Sequence, residues 1–184
     1  MTRPTVTRQH KEIDRITDDF QSTFAGLTPN ELNWKPDLKT WSIAQNLDHI
    51  ITVNESYYPV IDSVRKGTYK LPFLGRLGFM TRFFGNLIRN SVSPDRKRKS
   101  RTFSIWEPRV GDIDPGIVSR FQKHQKELKN YIENSRDLTE KGAVISSPAN
   151  RMIVYKMDTA FEILIDHEKR HLNQARELLE MMKK

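Results

Sequence analysis

His167 and His171 are the two residues in this chain whose type and spacing most directly suggest chemistry. Four residues on a helix advance about 400°, which leaves the two rings about 40° apart on one face and about 6 Å apart along the axis. Imidazoles so placed can share one metal ion. They also fit a pair of ordinary boundary histidines, and spacing alone does not decide between the two. Ala160, Leu164, Ala175 and Leu178 fall on the same stripe, so the pair points toward a core or its rim. The run His167-Glu168-Lys169-Arg170-His171 also spells H-E-x-x-H, the helix motif in which two histidines hold zinc and the glutamate is the general base. A zinc protease takes its third ligand from downstream, after a turn. Here the residues after His171 continue one helical pattern to Lys184, without Gly or Pro. That argues against a protease and places the third ligand upstream.

Four helices must position these residues. The first is predicted over about 7–24, with Ile13, Ile16, Phe20 and Phe24 on one face. A polar connection over 27–39 follows, carrying Pro29, Pro36 and Trp34. The second helix opens at Ser42, with Gln45 at capping-box spacing, and closes near Gly67. Pro59 interrupts its hydrogen bonding and should kink it. The third starts at Asp114-Pro115, an acceptor followed by Pro in the first helical position. Its inner face is Ile117, Phe121, Leu128 and Ile132. A polar, turn-rich stretch over 134–150 leads to the fourth helix, over about 158–182. The expectation is an all-α protein, a four-helix bundle in one domain over 1–184. A long basic and aromatic connection over about 67–113, with one short helix, separates helices two and three.

Within that arrangement His49 is the best upstream ligand. It lies on the second helix in the sector of Leu47, Ile50 and Val53. Packed helices stand about 8–10 Å apart, so one imidazole from helix two and two from helix four can converge. Three neutral nitrogens with room for water would make a catalytic site and not a closed structural one. Glu168 is a candidate catalytic base or partner of a ligand ring, although a charge at the edge of the apolar stripe is the plainer reading. Asn46, Asp48 and Gln174 are candidates to orient the imidazoles. His124, one turn from Phe121 and Leu128, reads as a core-edge histidine before it reads as a fourth ligand, and nothing requires His10.

The stretch from Trp41-Ser42 to Asp48-His49-Ile50, the run from His167 to Gln174, and Leu32-Asn33-Trp34 ahead of the second helix together resemble the DinB/YfiT superfamily. Its members carry W-S-x-x-x-h-x-x-H on the second helix and H-x-x-x-H, often followed by L-x-Q, on the last. The resemblance follows the helix order from end to end. It implies a four-helix bundle with a three-histidine site for zinc or nickel, and by motif the ligands are His49, His167 and His171. It also implies two kinds of activity: metal-dependent hydrolysis of a small molecule, or S-transfer from a diffusible low-molecular-weight thiol. The basic middle segment and Pro59 depart from the family pattern.

Composition limits the alternatives. The 184 residues contain no cysteine, which excludes disulfides, thiolate-held zinc or iron–sulfur clusters and a cysteine nucleophile. Any reacting thiol must come from outside the chain. The charge is +8, with 31 basic and 23 acidic residues. Between Arg82 and Arg109 the sequence has eight basic and two acidic residues, so most of the excess lies there. The run Asp95-Arg96-Lys97-Arg98-Lys99-Ser100-Arg101 therefore offers an alternative function. The 82–109 segment would then be a non-catalytic binding surface for nucleic acid or another anionic partner, with Phe103 and Trp106 to stack on bases. A solvated basic loop is the plainer reading. Leu77, Met80, Phe84 and Leu87, beside Arg76, Arg82 and Arg89, form a stripe that suits either a membrane surface or a lid over the bundle. No apolar run marks a signal peptide or a transmembrane segment, so the expected location is cytoplasmic. A homodimer is expected from the residual apolar surface of a small bundle.

Overall fold

The computed structural model describes residues 4–95 and 102–183. It is mostly helical, with one two-stranded sheet. In chain order the elements are α1 (Pro4–Phe24), α2 (Pro29–Asn33), α3 (Ile43–Arg65), α4 (Gly78–Val92), α5 (Ile117–Asn134), α6 (Arg136–Glu140), β1 (Val144–Ser147), β2 (Asn150–Lys156) and α7 (Met157–Met182). Short 3₁₀ turns at Phe73–Arg76 and Ser104–Trp106 flank α4 and the basic run. The run itself, 96–101, lies outside the described residues.

The four long helices follow the predicted periodicities. α1 packs on α5 and α7, and α3 packs on the same two, so the four enclose one core. Ile13, Ile16, Phe20 and Phe24 of α1 are all buried, and Phe20 meets Phe121 of α5 with ring centroids 4.7 Å apart. α3 begins where the sequence places it. Ser42 Oγ accepts from the Gln45 amide at 3.1 Å, and Gln45 Oε1 accepts from the Ser42 amide at 3.2 Å. The helix continues through Pro59 to Arg65. Pro59 and Glu55 are exposed, so water can take the Glu55 carbonyl that Pro59 has no N–H to bond.

Three local expectations are corrected. The 27–39 connection holds a one-turn helix, α2, with its own capping box between Thr28 and Glu31. α5 starts at Ile117, not at Pro115. Asp114 Oδ1 accepts from the Gly116 amide at 2.6 Å, which folds Asp114-Pro115-Gly116 into a turn ahead of the helix. The 134–150 stretch holds α6 and the first strand of an antiparallel hairpin, with Val144 opposite Lys156 and Ile145 opposite Tyr155. The hairpin packs against α3, α4 and α7. α4 can lie close on it because Gly85 has no side chain: a Cβ there would meet Thr159 Cγ2 at 3.0 Å and Tyr155 Cβ at 3.6 Å. α4 therefore covers the seam between β2 and α7 with Thr81 and Gly85, which are buried. Among the described residues, no helix is long and apolar enough to cross a membrane.

Candidate metal centre

His49 sits in the second turn of α3, and its position is fixed by the cap at Ser42. His167 and His171 sit one turn apart in the middle of α7, and α3 and α7 pack directly. The three rings converge through the same atom. His167 Nε2 is 3.2 Å from His49 Nε2 and 3.0 Å from His171 Nε2. All three ligand atoms lie within 4.8 Å of one another. No other group of His, Asp or Glu with this geometry occurs among the described residues.

The outer nitrogens determine what the inner ones offer. His49 Nδ1 is 2.5 Å from the Trp106 carbonyl, which can only accept, so Nδ1 carries the proton and Nε2 presents a lone pair. His171 Nδ1 is 2.7 Å from Asn46 Oδ1. The Asn46 amide is oriented by its own donation from Nδ2 to the Ser42 carbonyl at 2.8 Å, so Oδ1 faces His171 and accepts. His171 Nε2 is thereby also left unprotonated. His167 Nδ1 is buried without a partner. Trp41 packs across the other two rings, with centroids 4.7 Å from His49 and 6.0 Å from His171.

Burial keeps the rings neutral. Desolvation lowers the His49 pKa to about 4, against the opposing pull of the Trp106 carbonyl and the Asp48 charge. His167 is held well below the ordinary histidine value by burial, then by His49 and Arg170; burial, His167, His49 and Arg170 do the same to His171. Lone pairs forced together at about 3 Å repel unless a proton or cation lies between them. A tetrahedral zinc with Zn–N bonds of 2.0–2.1 Å separates its nitrogens by roughly 3.3 Å, close to the spacing found here. The donor set, its protonation and its spacing fit a divalent ion.

A strap of chain holds His49 from outside. Beyond the Trp106 carbonyl, Trp106 Nε1 donates to Ser56 Oγ at 3.0 Å. Arg109 donates to Asp48 through Nη2 at 2.9 Å and through Nε and the backbone amide at 3.3 Å, and Arg120 of α5 adds Nη1 at 3.1 Å. Burial works against the Asp48 charge, but the Arg109 donors and the Arg120 charge hold its pKa below the usual carboxylate range. Gln45 Nε2 donates to the Arg109 carbonyl at 3.0 Å.

The remaining sequence candidates fall elsewhere. Glu168 is fully buried, but its carboxylate turns away from the rings, accepting from Asn54 Nδ2 at 2.7 Å and Gln125 Nε2 at 2.9 Å. Burial raises its pKa to about 7 despite those two donors. Gln174 lines the cavity next to the rings and bonds to none of them. His124 is buried on α5 with Nε2 3.0 Å from Asn54 Nδ2; it and His10 stand outside the cluster. Phe103 is 44% exposed, whereas Trp106, its expected stacking partner for bases, is tied to Ser56 and His49. The Trp106 carbonyl was invisible to side-chain patterns, since a backbone acceptor has no letter. The excess of Arg around Asp48 was a signal, but only the fold pairs residues 61 and 72 positions apart.

The three rings line a cavity of about 1180 Å³. Its walls are mainly apolar, with Trp41, Val53, Ile88, Phe103, Ile163 and Leu178 among them. Such a cavity can hold a small organic molecule against the histidine cluster.

A family model for the DinB superfamily matches residues 12–175. No curated protein and no solved structure matches the chain. The match spans most of the chain, which belongs to the DinB superfamily.

Proposed function

We propose that this member of the DinB superfamily is a metal-dependent enzyme acting on a small molecule, with His49, His167 and His171 as the ligands. We read α1, α3, α5 and α7 as a single-domain four-helix bundle carrying the site at the α3–α7 seam. The observation that supports this reading best is the convergence of three neutral Nε2 atoms on the wall of a large apolar chamber.

A zinc or nickel ion held by three nitrogens would supply Lewis acidity and lower the pKa of a coordinated thiol or water toward neutrality. The chain does the rest. Asn46 and the Trp106 carbonyl keep the two flanking imidazoles in the metal-binding tautomer. The apolar part of the walls holds the organic part of the substrate. Between thiol transfer and hydrolysis, the position of Glu168 favours transfer. The acid inside H-E-x-x-H is bound to Asn54 and Gln125 and offers no base to help a water molecule ionise, whereas a thiol, far more acidic than water to begin with, would be fully ionised by a metal. The thiol is a diffusible cosubstrate, because the chain has no cysteine.

Elemental mass spectrometry on untagged protein is the first test. About one zinc or nickel per chain is expected, and none in His167→Ala. Stoichiometric metal in that variant would overturn the ligand assignment. Metal-loaded protein is then expected to conjugate a small thiol to an apolar electrophile faster than it cleaves an ester of similar size; the reverse order would favour hydrolysis.

A further inference from the structure

α4 carries two faces, and the site uses only one. Thr81 and Gly85 are buried against β2 and α7, and Ile88 and Val92 line the cavity. On the opposite side Phe79, Phe83 and Leu87 recur every fourth residue and are 69%, 58% and 50% exposed. Phe73, in the turn just before the helix, is 70% exposed. The exposed row is therefore shifted from the stripe the sequence suggested: Met80 and Phe84 are half-buried, and the free rings are Phe79 and Phe83. Large side chains aligned on one helix face without cover mark a contact surface.

Charge identifies what covers it. From Ser63 to Pro94 the sequence has no Asp or Glu and six Lys or Arg. Arg76 and Arg82 are exposed beside the apolar row, and five more basic residues follow between Arg96 and Arg101 by sequence. A second copy of the chain is a poor occupant, because a two-fold contact would bring the same arginines face to face. A nucleic acid strand would meet the charge and stack bases on the phenylalanines, but it would give Leu87 no apolar layer to enter. An anionic bilayer answers both features at once: the headgroups take the arginines and the acyl boundary takes the rings. We propose that α4 and the turn before it dock this protein on an anionic lipid surface through Phe73, Phe79, Phe83 and Leu87, flanked by Arg76 and Arg82. This proposal is independent of the metal centre and stands or falls without it.

Co-sedimentation of the full chain with vesicles tests it, using phosphatidylcholine alone and phosphatidylcholine mixed equally with phosphatidylglycerol. The protein is expected to sediment with the mixed vesicles, less so as salt rises, and to stay in solution with phosphatidylcholine alone. The double change Phe79→Ser with Phe83→Ser is expected to reduce the bound fraction on the order of tenfold. Circular dichroism confirms that the variant is folded. Arg76→Glu with Arg82→Glu tests the charge separately and is expected to abolish the preference for phosphatidylglycerol. Failure to sediment with the mixed vesicles overturns the proposal, as does unchanged binding by the phenylalanine variant. A halving of solution mass in that variant, without vesicle binding by the parent protein, would assign the face to a second copy. Retardation of single-stranded DNA in place of vesicle binding would assign it to nucleic acid.

Discussion

At the residue scale the histidine cluster depends on groups that stand behind the rings. Asn46 accepts from His171 Nδ1 with an oxygen that the Ser42 carbonyl keeps in position. Asn46→Ala is expected to weaken zinc affinity about 10–100-fold in a competition titration with a chromophoric chelator, while the fold is kept. Glu168 makes a different prediction. Its pKa rises from 4.5 to about 7 on folding, so the folded state binds the extra proton in that window. The stabilisation is complete below about pH 4.5 and is lost as pH rises through 7. Glu168→Gln removes the buried charge, so by urea denaturation the variant is expected to be more stable than the parent at pH 8, by about 1–3 kcal/mol. At pH 4.5 no such gain is expected. The Gln125 amide, whose Oε1 is buried without a donor, can turn to receive the new N–H. The three clustered histidines were legible in the sequence because i, i+4 spacing puts His167 and His171 on one helix face and the family motif on the capped second helix points to His49. The direction of Glu168 was not, since its neighbour in sequence points into the cavity while it points into the α3–α5 interface.

At the element scale the strap from Ser104 to Arg109 connects the end of the basic connection to α3, the helix that carries His49. It is held to α3 chiefly by Asp48. Asp48→Ala is expected to cost about 1–3 kcal/mol in denaturant unfolding and to lower metal affinity, because the Trp106 carbonyl loses its anchor. Full retention of zinc affinity in this variant would show that the strap is dispensable. Pro59→Ala restores an N–H to the middle of α3 at an exposed position and is expected to raise the thermal midpoint by a few degrees. The four long helices were legible because their apolar residues repeat every three or four positions. The hairpin was not. Its seven-residue second strand, Asn150–Lys156, buries only Val154 and Tyr155, which are consecutive and so lack the alternation that marks a strand with one buried face. Tertiary packing against α3 and α4 makes it a strand, and no local pattern announces that.

At the scale of the whole molecule, a metal held by the histidine cluster would be coupled to the fold. His49 and His167 stand 118 positions apart, so their shared site exists only when α3 and α7 are docked. Zinc is expected to raise the thermal midpoint of chelator-treated protein and to leave that of His167→Ala unmoved; about 2.7 kcal/mol accompanies a hundredfold excess over Kd. Acid should act in the opposite sense. The His49 pKa falls from 6.5 unfolded to about 4 folded, so below pH 6.5 the unfolded chain binds more protons. The stabilisation is complete above 6.5 and is lost as pH falls toward 4, by about 3 kcal/mol for His49 alone. His124, lowered to about 4 by burial and Arg120, and the two α7 histidines add to this and outweigh Glu168. Metal-free protein is therefore expected to lose stability steeply from pH 6.5 to 4, read as a falling urea midpoint. The turn at Trp106 has one more consequence, for inheritance. The acceptor that fixes His49 belongs to the backbone, so every amino acid at position 106 offers it. A codon change there keeps that acceptor but loses the indole bond to Ser56, so selection on His49 reaches the residue at 106 only through what anchors the turn.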